Sequence, residues 1–567
     1  MKIHQKKLNT NKVIPGFRKK LIVSSFAAMM LPAAGAFAGN NATGTDYYFP
    51  NTEIDELSNS DIPKSCFWKP WYAGNEFAYS ETVATGSGNN PETFVSYWPA
   101  KFKLPDGSRL VIKGEYAHNR YMGFDTYSQA FPIGALAGYE IEPDPGHTNT
   151  YRPGANRNAE DRSFTIYVVD EIEPENPAPN TLYVRSKDTN ISAFKDHSEF
   201  RFRSYFPDRG TDILGDVKLP KLARLELADG TVIGKQKDIC GRINLNGTTG
   251  DLTETALPIE AWNKFIELGT QLGNPMAPAQ PNVAWERFLN PAFNLFGLFL
   301  MPNAQQARDQ IPRPSEGAGG GSLAGTQANA YMGTYVSHET VEREVAVTYV
   351  KLPVTPETFD GDKYAHKGPI QAQYWSICSN VDPVGKGLTS EQHPTGVRQG
   401  MCLNDETVVL NEQHFTRIVH TQPQNRPSNA TNECGWSWLS SGLSDNLGRP
   451  VAQLLLRPNL SPEADFAEAS ANVTEPYTEA AVMGDYLPRT TYMSVTDFEA
   501  LGCSNDGYEQ SRPDMPAPIW GTENTIKPAV PRSKHEPGTP VPQTEGASPV
   551  QNFFQLLQYM GQLVQKG

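Results

Sequence analysis

Two stretches of this 567-residue chain carry the same short words in the same order, about 250 residues apart. Lys103-Leu104-Pro105 returns as Lys351-Leu352-Pro353, and Tyr116-Ala117-His118 returns as Tyr364-Ala365-His366, both shifted by 248. Arg120-Tyr121-Met122-Gly123-Phe124 answers to Gln373-Tyr374-Trp375-Ser376-Ile377 at 253, and Ser163-Phe164-Thr165 to His414-Phe415-Thr416 at 251. Asn180 answers to Asn429 and Pro207 to Pro458. Single matches of this kind are common by chance, but six in order at a nearly constant offset are not. A repeat of this length divides the chain into two related units.

The words are rich in β-branched and aromatic residues and lie between turn clusters drawn from 47 glycines and 46 prolines. That pattern predicts many strands joined by tight turns. In the first unit it places strands at residues 93–103, 109–116, 121–127, 163–170, 181–185, 199–206 and 221–227. In the second it places them at 344–351, 370–378, 407–410, 415–421, 451–457 and 491–495. Pro105-Asp106-Gly107-Ser108 has the residues of a hairpin turn, with proline presetting φ and glycine accepting a positive one. The expected fold is mainly β, two tandem related β-sandwich units of jelly-roll type with a short helical and aromatic segment between them.

Residues 1–38 read as a signal peptide. Seven basic residues and no acidic one precede the apolar run Leu21 to Leu31, and Ala36-Phe37-Ala38 supplies the small-residue cleavage pattern. The run is too short to span a bilayer. Without the seven, 42 basic residues face 63 acidic ones, a formal charge near -21. So acidic a chain repels phosphate backbones, which argues against a nucleic-acid partner. All six cysteines follow the signal segment and none forms a C-x-x-C pair, so disulfides are expected rather than a metal cluster. Fifteen pairings are possible. Cys378 with Cys402 is favoured because the two bracket a strand-loop-strand segment. The expected location is outside the cytoplasm, in the periplasm, on the outer surface or secreted.

The remaining divisions follow composition. Residues 39–65 form a polar lead-in, 66–255 the first unit, and 256–311 a connector in which Ile259, Trp262, Phe265 and Ile266 fall at helical spacing. Residues 312–329 are a Gly/Pro-rich linker and 330–503 the second unit. A proline-rich tail covers 504–550, and residues 551–565 form an amphipathic helix with an apolar stripe of Phe553, Leu556, Leu557, Met560, Leu563 and Val564. That stripe can dock on its own chain, a membrane or a partner protein.

Several stretches carry a resemblance: residues 104–127, Asn180 to Tyr183, Tyr205 to Gly210, Trp285 to Phe288, Tyr374 to Cys378, and Tyr486 to Arg489. They resemble a group of exported bacterial proteins of no assigned activity. More distantly, both repeats look like the β-sandwich families catalogued as domains of unknown function 1214 and 1254. The resemblance covers most of residues 90–503. It implies fold and export, and brings no catalytic residues with it.

Standard catalytic motifs are missing. There is no G-x-S-x-G elbow, no phosphate loop and no G-x-G-x-x-G, and His338-Glu339 is not followed by a histidine at the zincin position. The paired His118 and His366 are the candidate catalytic residues, since imidazole titrates near neutral pH, although a packed ancestral turn would repeat equally well. Asp208, Asp212 and Asp216 are candidate calcium ligands on one loop, and no other cofactor is expected. Tyr121, Trp285, Phe288, Tyr374, Trp375 and Trp436 are candidate ligand-binding residues. The apolar run Phe293 to Met301 suits either a buried wedge or a groove for a hydrophobic ligand. The leading expectation is a non-catalytic protein that binds a hydrophobic or carbohydrate ligand between its units, where domain interfaces usually place pockets. The competing expectations are a hydrolase lacking a standard motif and a cell-surface structural or interaction protein.

Overall fold

A computed structural model describes residues 65–68, 72–73, 92, 94–128, 131–185, 198–235, 237–243, 285–288, 325–326, 328–359, 370–380, 391–392, 398–399, 402–441, 451–460, 466–474 and 478–503. The signal segment, the helical connector, the Phe293 to Met301 run, His366, the proline-rich tail and the terminal helix lie outside these residues. Among the described residues no helix is long and apolar enough to cross a membrane.

The first unit contains β1 (Tyr72–Ala73), β2 (Val95–Phe102), β3 (Ser108–Glu115), β4 (Asn119–Ser128), β5 (Phe131–Ala137), β6 (Ser163–Ile172), β7 (Thr181–Arg185), β8 (Ser198–Pro207), β9 (Lys221–Leu227), β10 (Val232–Lys235) and α1 (Lys237–Ile243). They form two five-stranded sheets, an inner sheet ordered β1-β2-β8-β4-β5 and an outer sheet ordered β10-β9-β3-β6-β7. Alternation along β8 sends Phe200 and Phe202 into the sandwich, where Phe124 of β4 stacks on both at 5.7 and 5.1 Å. Leu110, Ile112, Ile166 and Val168 close the core from the outer sheet. Each such buried side chain contributes about 1.5–3 kcal/mol. Trp68 joins this core, packing on Phe200, and the Cys66–Cys240 disulfide ties its segment to α1.

The second unit contains β11 (Glu286–Arg287), β12 (Met332–Ser337), β13 (Val345–Lys351), β14 (Ala372–Asn380), the small hairpin β15 (Glu391–Gln392) and β16 (Arg398–Gln399), β17 (Cys402–Asn404), β18 (Phe415–Thr421), β19 (Ser437–Ser440), β20 (Val451–Leu460), α2 (Glu479–Met483), β21 (Arg489–Met493) and α3 (Val495–Ala500). Its inner sheet runs β11-β12-β20-β14-β17 and its outer sheet β19-β18-β13-β21. The strand orders of the two units superimpose: β2-β8-β4-β5 on β12-β20-β14-β17, and β9-β3-β6-β7 on β21-β13-β18-β19. Even the exception repeats, because β6 with β7 and β18 with β19 are parallel pairs among otherwise antiparallel sheets. The fold is two tandem sandwiches, as the sequence implies.

The topology also corrects part of the repeat. Lys103 follows β2, whereas Lys351 ends β13, whose counterpart is β3, so the Lys-Leu-Pro words are not equivalent positions. The matches on β4 with β14 and on β6 with β18 are structural equivalents, whereas Pro207 and Pro458 are not, since Pro207 lies opposite Asn119 and Pro458 opposite Trp375, three positions out of register. The segment expected as a strand at 407–410 is a turn instead, because the Asn404 side chain accepts the amides of Glu406 and Thr407. Trp285 to Phe288, read as connector, belongs to the second unit, since β11 extends the edge of β12. All six cysteines pair: Cys66–Cys240, Cys378–Cys402 and Cys434–Cys503.

Candidate functional site

The two units meet through their inner sheets, and the layer between them is polar. Alternation on β8 points Glu199, Arg201, Arg203 and Tyr205 away from the aromatic core, and on β4 it points Tyr121, Asp125 and Tyr127 the same way. A face of that composition would suit solvent, yet every one of these side chains is buried. The opposing face comes from β14 and β20 of the second unit, with Tyr374, Ser376, Arg457 and Asn459. Tyr205 packs edge-on against Tyr374 with ring centroids 5.5 Å apart, and against Tyr121 at 5.1 Å.

Charge in this layer is paired. Arg203 donates to Asp125. Arg457 donates to Glu92 at 3.2 Å, and the same carboxylate accepts from Tyr374 Oη at 3.2 Å and from the Ser376 hydroxyl. Burial pushes the Glu92 carboxyl above its ordinary range, with Arg457, Ser376 and Tyr374 pulling it part of the way back. Burial likewise raises the phenols of Tyr121, Tyr127, Tyr205 and Tyr374, so all four remain neutral hydrogen-bonding groups. Asn459, two residues beyond Arg457 on β20, is opposed by Asn329 across an isolated antiparallel bridge. Both are buried, at 1% and 2% exposure, and neither the amide nitrogen nor the oxygen of either has a partner.

The layer is locked at one end by Arg120. This wholly buried guanidinium leaves the first unit to donate to the Thr358 hydroxyl at 2.8 Å and to the carboxylates of Asp405 and Glu406. Phe359, next to Thr358, stacks on Phe206 at 5.1 Å, and its carbonyl accepts the Arg209 amide at 2.7 Å. A segment of the second unit thus caps the core of the first.

The expected site residues fall in different places. Tyr121 and Tyr374 come together in the layer, and Phe288 packs with Tyr331 and against Gly333 nearby. Trp285 and Trp375 lie in the core of the second sandwich, where Trp285 Nε1 donates to Thr490 Oγ1 at 2.8 Å. Trp436 is remote, packed on Phe498 at 4.7 Å with the Arg417 guanidinium over its ring. Two signals in the sequence mark the layer: the Arg/Glu/Asp alternation on β4 and β8, and the arginine pair Arg203 and Arg457.

His118 accepts from Arg162 at Nε2, the lone pair a general base would use. Burial and two neighbouring arginines hold its pKa low. Its backbone is pinned by Gly215, whose φ of 70° brings its α-carbon so close that a Cβ there would lie 2.5 Å from the His118 carbonyl oxygen. Among the three loop aspartates, Asp208 pairs with Arg157 at 2.5 Å. Asp212 accepts the amides of Leu214 and Asp216 at 2.8 and 2.9 Å, and Asp216 returns a bond to the Asp212 amide. Asp208 is thus engaged by an arginine, and Asp212 with Asp216 by each other's amides, the chemistry of a turn.

Two further groups bear on chemistry. Glu92 lies with Cys378 and Cys402 in the one set of three metal-type donors that converge among the described residues, but the two sulfurs are joined in a disulfide and offer no thiolate. In the second unit, His338 Nε2 pairs with the Ser441 hydroxyl at 2.9 Å while Nδ1 lies 2.8 Å from the Arg343 carbonyl oxygen. That is the connectivity of a nucleophile, a base and an orienting group.

No family model and no curated protein matches the chain. Solved structures that it is similar to include an uncharacterised protein of Burkholderia cenocepacia, 13% identical with a TM-score of 0.39, aligned over 74% of this chain and 89% of that one. Another is the VPA0106 protein of Vibrio parahaemolyticus, 7% identical with a TM-score of 0.33, over 74% and 99%.

Proposed function

We propose that this is an exported, non-catalytic binding protein that holds a small hydroxyl-rich ligand, of the carbohydrate class, in the layer between its sandwiches. One observation carries the reading: the facing amides of Asn329 and Asn459, buried with no partner for any of their four polar atoms. Leaving such a group unpaired costs about 1–3 kcal/mol, so a fold that keeps two is holding them for something. An amide offers a donor and an acceptor side by side, which matches the adjacent hydroxyls of a sugar. The surrounding tyrosines supply flat faces and neutral hydroxyls, and the paired arginines supply oriented donors. A purely hydrophobic ligand would leave the two asparagine amides unsatisfied, which favours the carbohydrate alternative. Three disulfides agree with an oxidising compartment, and with export by the N-terminal segment.

The test compares the wild type with Asn329→Leu/Asn459→Leu. Removing both amides in nearly the same volume should raise stability by about 1–3 kcal/mol in urea titrations while abolishing any ligand response. Wild type should show a co-purified mass in native mass spectra or a thermal shift with one member of a sugar panel. A variant that is less stable than wild type, with no sugar shifting either protein, would sink the reading.

The Ser441, His338 and Arg343 chain favours a second reading, a serine hydrolase whose site opens at the turn beside His338. A fluorophosphonate probe should then label Ser441 in wild type and not in His338→Gln. Absence of labelling in folded wild type removes this reading.

A further inference from the structure

The Cys378–Cys402 disulfide and Glu92 form an unusual neighbourhood. Cys378 and Cys402 are directly opposed residues of β14 and β17, so the disulfide staples the last strand of the second inner sheet. Glu92 comes from the other unit and places Oε2 3.3 Å from Cys378 Sγ, with all three donor groups lying within 4.8 Å of one another. A disulfide sulfur has no hydrogen, so at that distance the carboxyl oxygen meets sulfur lone pairs and gains no bond. A thiol at the same position would donate S–H to it. The surroundings therefore favour the dithiol over the disulfide, through a residue that belongs to neither strand.

We propose that Cys378–Cys402 is a redox-active disulfide, opened by a dithiol reductant, with Glu92 as the group that receives the Cys378 thiol. Cys402 is only 1% exposed, so a thiolate of the reductant reaches its Sγ when the three-residue edge strand β17 opens, forming a mixed disulfide and releasing Cys378 as a thiolate. That thiolate takes up the proton given off by the reductant's first thiol, and the resulting S–H donates to the Glu92 carboxylate that Arg457 holds. The second thiol of the reductant, giving up its proton, displaces Cys402, and the reductant leaves as its own disulfide. Two electrons and two protons pass from the reductant to the protein.

The consequence reaches the joint between the units. β17 is only three residues long, and the residues after it, Asp405 and Glu406, are those that hold Arg120. Asp405 also anchors to β14 by accepting the Trp375 amide at 3.2 Å and donating its own amide to the Trp375 carbonyl at 3.1 Å. Once the staple opens, the Arg120 clamp is held by those hydrogen bonds, the short β14–β17 ladder, the Asn404 turn and the Thr358 and Phe359 amides on Glu406, with no covalent tie left. Reduction at this one disulfide thus loosens the clamp that closes the layer.

The experiment equilibrates the folded full-length protein in graded mixtures of reduced and oxidised dithiothreitol, starting from both the oxidised and the reduced protein. Alkylation and peptide masses then report each cysteine pair separately. Cys378–Cys402 should open first, at a dithiol-to-disulfide ratio at least tenfold lower than Cys66–Cys240 or Cys434–Cys503, about 30 mV apart. In Glu92→Gln, a neutral and weaker acceptor, its midpoint should move threefold or more towards the disulfide while the other two stay. The order of opening in wild type tests the idea even if the variant fails to fold. Simultaneous opening, opening of this pair last, or failure of the two starting points to converge would overturn it.

Discussion

Arg120→Ala should destabilise the protein by about 3–5 kcal/mol, the largest effect expected of any single charge removal here. Arg120 is wholly buried, and its partner Asp405 is 1% exposed, so truncation leaves a carboxylate inside the protein with its counter-charge gone. The loss also frees Glu406 and the Thr358 hydroxyl, both of which reach across from the other unit. Urea denaturation gives the number, and a companion variant separates charge from volume. Arg120→Met with Asp405→Asn, which removes the wholly buried pair and leaves only the part-exposed Glu406 charge, should recover at least half of the loss. For contrast, Arg152→Ala breaks an exposed pair with Glu142 and should cost under about 0.5 kcal/mol. If Arg120→Ala proves as mild as Arg152→Ala, the clamp does not hold the units together.

Acid should unfold the protein through two buried histidines of the second sandwich. Burial lowers His338 to about 4 and His420 to about 3, the latter also pushed down by the charge His338 would carry. His338 is bonded at both ring nitrogens, to the Arg343 carbonyl and Ser441, while His420 is bonded at Nε2 to Thr348 and its buried Nδ1 has no partner. A folded-state value below the unfolded one means that the unfolded chain binds more protons between the two. Stability therefore falls as pH drops below about 6.5, by up to roughly 1.4 kcal/mol per histidine per pH unit. By pH 5 the two together remove about 4 kcal/mol relative to pH 7.5. Glu92 and Asp208, whose pKa values burial raises, tilt stability the other way, losing it as pH climbs above the ordinary carboxylate range. Urea titrations at pH 5 and 7.5 check the sum, and His338→Gln/His420→Gln should flatten the slope. An unchanged slope in that double variant would refute the assignment.

How far the sequence reveals this molecule depends on which interactions are local. The strands at 181–185, 221–227 and 415–421 were predicted to the residue, because period-two alternation bounded by turn residues is a local signal. β5 was missed because Pro132 and Gly134 interrupt its pattern, and β12 because its neighbours in space, β11 and β20, are remote in sequence. The Cys378–Cys402 pairing was legible from a short loop, whereas Cys66–Cys240 spans 174 residues and was not. The site was hidden for a stronger reason. Arg201, Arg203 and Asp125 alternate with phenylalanines as a solvent-facing row would, and nothing in β4 or β8 says that a second sandwich covers them. The repeat gave two units but not the faces through which they touch.

Those faces are corresponding ones. Gly123 lies opposite Arg203 on the first inner sheet as Ser376 lies opposite Arg457 on the second, so the two arginines, like Tyr121 and Tyr374, occupy matching positions on surfaces that meet. Two copies of one fold joined through the same surface is the arrangement of a two-fold homodimer, here written into a single polypeptide. Tethering relaxes the constraint such a dimer carries, that every change on one side appear on the other. Asp125 can then answer Arg203 from its own sheet while Glu92 answers Arg457 from across the boundary, and the asparagine pair can sit on one side only. A symmetric junction presents two identical half-sites. This one has become handed, its two halves no longer interchangeable.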